Sequence, residues 1–424
     1  MRICRFLLVL FISLPTFKSF AQNELVSAEL IDQHLKVLAS DSLKGRKNFS
    51  PELFKAANYI EVEFAKAGLQ PLTGFFDYYI PFNAGTFKTI SRDLLKWNGQ
   101  RLSQDHFFYF TGEKYPARQT LSDFRLIEIE GKLPDSILYT YWNETEPVLI
   151  WWKGNKDKSE KINSNKLLVP NLVPFSNVLL VSSKQKPEEV DISTDKDYTN
   201  NVMFNMVGLL RGKTKPSEII IFSAHYDHIG VNKQLAADSI FNGANDNASG
   251  VASMLSLAAY YAARNDNERT LMFCAFAGEE IGLRGSYNLA DILRPESIKA
   301  MINLEMLGKY TEGKPGEFFI TGEKNSDLKK IMQESLNTPG HKILEEPAAD
   351  NLFLRSDNYP FALKGVPAHS IMTSYDNDPC YHKPCDELIG LNPGVMSIVL
   401  KNIIAGCEKI ISGEKTPKRV SGNF

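Results

Sequence analysis

The chain has 424 residues, of which 43% are hydrophobic and 23% charged, with a formal net charge of −2. That is the composition of an ordinary globular protein long enough for a large core and an inserted segment. A near-neutral charge and the lack of a long basic run exclude nucleic acid as a partner.

The first residues, MRICRFLLVLFISLPTFKSFAQ, carry Arg2 and Arg5, an apolar run from Phe6 to Leu14, and a small-residue end at Ser19-Phe20-Ala21. This is the pattern of a secretory signal peptide over residues 1–21, cleaved after Ala21. The apolar run is too short to span a bilayer, and no later stretch is apolar enough to cross one. The expected product is therefore periplasmic or extracellular, with no membrane insertion. Loss of the leader removes Cys4 and leaves Cys274, Cys380, Cys385 and Cys407. In an oxidising compartment the close pair Cys380 and Cys385 is a disulfide candidate; if their Cα atoms lie more than about 7 Å apart, both are thiols.

Residues 27–70 read as helical, with apolar positions three and four apart in LIDQHLKVLAS and PELFKAANYIEVEFAKAG and a stop at Gly68. From 76 to 205 the texture changes to short aromatic and β-branched runs (FFDYYIPF, HFFYF, SILYTYW, EPVLIWW, NVLLVSS), which predict strands. After 205 apolar strands alternate with helices. EIIIFSAH, TLMFCAFAG, MINLEML, EFFIT and VPAHSIMT read as buried strands, and GVASMLSLAAYYAARN and GLRGSYNLADIL as helices. The predicted fold class is α/β: a central mixed, largely parallel twisted sheet flanked by helices, with a β-rich insertion. The predicted boundaries are 22–75 with 206–424 for the main domain and 76–205 for the insertion.

In such sheets ligands bind beyond the carboxyl ends of the strands. His225 and Asp227 end the first of these strands, and NGANDNASG delivers Asp246 to the mouth of the next helix. Glu279 and Glu280 follow AFAG, Glu305 ends a third strand, and the loop after the last carries Tyr381 and His382. Alone, each has an ordinary explanation as a turn residue, surface acid or hydrogen-bonded histidine. Together they are costly without a cation, because carboxylates beside apolar strands need one. Carboxylates with imidazoles are the donors of a divalent metal site.

The motifs SAHYDHIG, NGANDNASGVASMLSLA, FCAFAGEEIGLRGS, INLEMLG and DPCYHKPCDE, in this order over roughly 205–390, resemble the M28 family of zinc peptidases. LASDSLKGR also resembles that family's N-terminal helix and loop. The resemblance implies two zinc ions per chain, one held by His225 and Glu305, the other by His382 and Glu280, with Asp246 bridging. It makes Glu279 the general base, Asp227 the carboxylate that orients the His225 imidazole, and Tyr381 a support for the developing oxyanion. Glu305 stands where most relatives carry aspartate, so its extra methylene changes the approach to the metal shared with His225. The implied activity is a metallo-aminopeptidase acting on peptides; a glutaminyl cyclase-like acyltransferase and a carboxypeptidase of the same fold are the alternatives. Segment 76–205 could be a protease-associated-type insertion. His228 reads as a strand-to-loop hydrogen-bonding residue and His369 as a core histidine. The spacing of DPCYHKPCDEL lacks the second ligand pair of a zinc knuckle, so Cys380 and Cys385 read as a brace on the loop that aims Tyr381 and His382.

Overall fold

The computed structural model describes residues 26–89, 93–110, 118–134, 137–141, 146–154, 160–162, 177–193, 196–235, 237–310, 315–336 and 341–421. The leader expected at residues 1–21 lies outside them. Two compact units result: Met1–Pro81 with Phe204–Phe424, and Phe82–Met203.

The first unit begins with two helices, α1 (Ala28–Leu38) and α2 (Pro51–Lys66). Each is started by a serine whose side chain accepts from a free N–H of the first turn, Ser27 from Leu30 and Ser50 from Leu53. Gly68, at φ +72°, takes the left-handed conformation just past the end of α2 that other residues adopt at a cost.

The sheet is built on β1 (Gln70–Pro71), β2 (Lys196–Leu210), β3 (Lys215–His225), β4 (Arg269–Phe276), β5 (Ile298–Glu305), β6 (Phe318–Ile320), β7 (Ile343–Leu344) and β8 (Ala368–Met372). Their order is β1–β2–β4–β3–β5–β8–β6–β7, and Tyr79–Thr89 pairs with β2. The four central strands β4, β3, β5 and β8 are mutually parallel, while β2 and β6 join antiparallel. This is the mixed, largely parallel sheet the sequence predicts.

Every residue of β4 is buried, so both faces of the sheet are covered. On one face Phe222 stacks on Tyr261 of α3 (Ser249–Arg264) at 5.7 Å. Its neighbour Ile221 points the other way. There it joins Met272, Phe276, Leu289 and Ala290 of α4 (Arg284–Ile292), and Phe361 of a short helix at Asn358–Leu363. A long apolar helix, Pro393–Ile411, packs with α1 and α3. No helix among the described residues is long and apolar enough to cross a membrane.

In the second unit, two four-stranded sheets share a core in which Leu95, Trp97, Val190 and Ile192 of one meet Phe107, Leu149, Trp151 and Leu179 of the other. One predicted strand is a helix here. Ile137–Tyr141 of SILYTYW is one helical turn or so, with Ile137 and Leu138 buried on the sheet face that carries Val148 and Ile150. β-branched and aromatic composition misleads where tertiary packing decides.

Candidate metal centre

The site lies at the carboxyl ends of the parallel strands. β3 ends in His225 and β5 in Glu305, Glu279 and Glu280 follow β4, and Asp246 precedes α3. In the order β4–β3–β5 the connection from β3 runs to one side and the next, from β4 to β5, runs back past β3 to the other, so the crevice of an open α/β sheet forms beside the end of β3.

Asp246 is centred between two histidines. Its Oδ1 is 3.2 Å from Nε2 of His225, and its Oδ2 is 3.1 Å from Nε2 of His382. Glu305 Oε1 lies 3.3 Å from His225 Nε2, and Glu280 Oε2 lies 3.2 Å from His382 Nε2. Donor atoms on a tetrahedral ion with bonds of about 2.0–2.1 Å are separated by about 3.3 Å, so each trio is spaced to share one cation. His225, Asp246 and Glu305 form one such group; Asp246, Glu280 and His382 form the other, with His228 beside it.

Several devices hold these groups. The Asp246 loop hangs on Asp386, which accepts from the backbone N–H groups of Asn245 and Asp246, and on Asn247, which donates to the Leu304 carbonyl. Gly243, at φ +56°, opens this loop; a Cβ there would stand 2.3 Å from the Asp246 carbonyl and 2.5 Å from the His228 ring. Arg46, buried, donates to the carbonyls of Tyr226, Leu38, Asn242 and Gly243. It thereby ties the N-terminal helices to the segments on either side of the site. Glu305 has its second oxygen fixed by the Ser356 hydroxyl at 2.8 Å, and Ser356 in turn accepts from Asn303.

Asp227 acts otherwise than the sequence reading expects. Nδ1 of His225 donates to the backbone carbonyl of Asp227 at 3.1 Å, whereas the Asp227 carboxylate is 3.8 Å away. That carboxylate instead accepts from the backbone N–H groups of Glu279 and Glu280 and from Asn48. The imidazole is still oriented, as a metal-binding histidine requires. The side chain of Asp227 sets the turn that carries the glutamate pair.

His228 is also more than a strand-to-loop contact. Its Nδ1 reaches Oε1 of Glu280 at 2.7 Å, so it belongs to the cluster. His369 is a core histidine, bonded to the Thr321 carbonyl and the Ser326 hydroxyl.

Cys380 and Cys385 form a disulfide with Cα atoms 5.2 Å apart, closing the loop on which Tyr381 stacks against His382 at 3.9 Å. Cys274 and Cys407 are buried free thiols.

Burial pushes the carboxyl of Glu279 well above the ordinary range, His225 opposes this, and the neighbouring Glu280 adds to it. For Glu280 itself, burial and Asp246 press upward, but contacts with His228 and His382 hold it at about 2. Burial disfavours a charged His225, yet the Glu305 and Glu279 carboxylates keep its imidazole well above its usual value. Asp246, Glu279, Glu280 and Glu305 thus crowd one largely buried region, with Asp227, Asp357 and Asp386 close by. A divalent ion on each trio would offset that charge, and the oxygen and nitrogen donors suit zinc.

A small pocket of about 40 Å³ opens on the site. His225, Asp246, Glu279, Glu305 and Tyr381 form its reactive side; Met306, Leu352 and Met372 are apolar wall, and Arg355 pairs with Asp376 beside them.

Residues 205–406 match the sequence model for peptidase family M28. This part of the chain belongs to peptidase family M28. The chain also aligns with Aminopeptidase YwaD of Bacillus subtilis, 28% identical over 53% of this chain and 48% of that protein. A probable leucine aminopeptidase of Arthroderma otae is 29% identical over 46% of this chain and 54% of its own length. The chain thus spans about half the length of these curated relatives. In three dimensions it resembles the aminopeptidase from Aneurinibacillus sp. strain AM-1 (TM-score 0.54, 18% identity, 92% of this chain and 95% of that one). The zinc aminopeptidase BSAP from Bacillus subtilis is similar too (TM-score 0.54, 16% identity, 92% and 97% covered). At these identities the likeness speaks for the fold.

Proposed function

We propose that this chain is an exported, zinc-dependent exopeptidase, an aminopeptidase that removes N-terminal residues from peptides. The observation that carries the reading is the pair of donor trios that share Asp246, with Glu279 beside them and a pocket above. His225, Asp246 and Glu305 would hold one zinc, and His382, Asp246 and Glu280 the other. Bound zinc would polarise the scissile carbonyl and lower the pKa of an attacking water.

Glu279 lies in the pocket wall without a place in either trio. That leaves it free to accept the proton of the water and return it to the departing amine. The upward push on its carboxyl suits a group that must carry a proton for part of the cycle. Tyr381, half-buried in the same wall, would donate its hydroxyl to the oxygen that becomes negative as the carbonyl is attacked. Asp227, through its hold on the Glu279 backbone, keeps the base aimed at the pocket. The aminopeptidase assignment draws support from the names of the relatives, and export draws support from the leader pattern of residues 1–21. The unit at Phe82–Met203 is an insertion in this reading.

Native mass spectrometry of zinc-loaded protein tests the reading. Two zinc ions per chain are expected; a chain that binds none overturns it.

A further inference from the structure

We infer that His228 is a positioning residue that fixes Glu280 as a one-oxygen ligand by donating from Nδ1 to its second oxygen. This rests on the two-zinc reading above.

His228 is buried, and its ring is confined by Gly243, where a Cβ would stand 2.5 Å from Cδ2. Its backbone N–H donates to the Arg46 carbonyl, so both ends of the residue are held. Nδ1 lies 2.7 Å from Glu280 Oε1, while Oε2 of the same carboxylate faces His382 Nε2 at 3.2 Å. Two readings of that contact compete: a fourth ligand on the His382 ion, or a hydrogen bond to a ligand.

The distances decide between them. Ligand pairs across this site are 3.1–3.3 Å apart, near the edge of a tetrahedron. The 2.7 Å contact is shorter than that edge and matches a charge-assisted hydrogen bond. The second nitrogen gives an independent argument. A histidine that binds metal through one nitrogen carries its proton on the other, which then donates to a partner. For His225 that partner is the Asp227 carbonyl, but Nε2 of His228 is buried without any hydrogen-bond partner among the described residues. A bare lone pair is tolerated there more readily than an orphaned N–H. The ring therefore carries its proton on Nδ1 and gives it to Glu280.

Glu305 is treated in parallel, with one oxygen toward His225 and the other held by the Ser356 hydroxyl at 2.8 Å. The two ions are thus framed by equivalent carboxylates that are anchored by different donors, an imidazole on one side and a hydroxyl on the other.

Zinc affinities of both sites, measured by competition with a chromogenic chelator, test this on wild type, His228→Ala and His228→Asn. His228→Ala should keep two zinc ions with one site weakened about 10–100-fold. His228→Asn, which offers a side-chain N–H near the Nδ1 position, should recover most of the loss. In zinc-loaded wild type, nitrogen-15 histidine NMR should show His228 protonated on Nδ1, a readout that does not depend on how well the variants fold. The inference is overturned by unchanged affinities in His228→Ala, by a fall to one zinc, or by a His228 ring protonated on Nε2; the last two would make His228 a ligand. A wild-type chain that binds no zinc defeats the metal reading itself.

Discussion

Ser356 gives its hydroxyl to Glu305: Oγ lies 2.8 Å from Oε2, and the other oxygen of that carboxylate faces His225. The contact leaves Glu305 one oxygen for the trio and fixes the other. Ser356→Ala should therefore weaken zinc at the His225 site by about 10–100-fold and leave the His382 site nearly unchanged. Chelator competition resolves the two, and equal weakening of both would contradict the assignment.

Glu279→Gln keeps the shape of the pocket wall and removes the proton acceptor. Both zinc ions should remain bound, while kcat falls by about two to four orders of magnitude. Zinc content and steady-state rates measured on the same preparation check this, and retained turnover would remove Glu279 from the role of base.

Arg46 satisfies four backbone carbonyls from a fully buried position, and burial lowers its pKa only to about 10, so it stays charged at neutral pH. Arg46→Met should cost roughly 3–5 kcal/mol, the range for removing one partner from a buried charged network. It should also loosen zinc binding, because Asn242 and Gly243 lead into Asp246. Urea unfolding of the metal-free chain measures the first effect without the second.

His369 supplies a pH dependence separate from the metal site. Burial pushes its imidazole down to about 4, against about 6.5 in the unfolded chain. Between these values the unfolded state binds more protons, so stability falls as pH drops from about 6.5 to 4 and its contribution is intact above 6.5. The full loss is about 3 kcal/mol. Urea midpoints of metal-free wild type and His369→Gln over this range should diverge, with the steeper fall in wild type; parallel curves would exclude His369 as a source.

The Cys380–Cys385 bond closes a six-residue loop around Tyr381 and His382. Removing it should cost about 2 kcal/mol by the loop-closure argument. The loss should fall on the His382 zinc site first, since His382 sits at φ +54°, a conformation the closed loop maintains. Zinc affinity of the Cys380→Ser, Cys385→Ser double variant measures this, and an unchanged His382 site would show that the loop holds itself.

What was legible in the sequence was what is local. Apolar runs that end in polar residues announce buried strands, and the residues at those ends, His225, Glu280 and Glu305, are the ones the fold brings together. In sequence His228 looks ordinary because its partner, Glu280, follows a different strand and no spacing in the chain links them. The hold of Arg46 on distant carbonyls, and of the Asp227 carboxylate on the Glu279 and Glu280 N–H groups, is hidden for the same reason: backbone partners far away in sequence leave no mark on side-chain pattern. SILYTYW failed differently, since its composition fits a strand and only packing makes Ile137–Tyr141 a helix.

The most direct test is mass spectrometry of the products formed by zinc-loaded chain from one peptide supplied with a free and with an acetylated N-terminus. An aminopeptidase should release N-terminal residues stepwise from the free peptide alone, and chelator should abolish this. Loss of the C-terminal residue, cleavage of the blocked peptide, or pyroglutamate formation without cleavage would contradict the assignment.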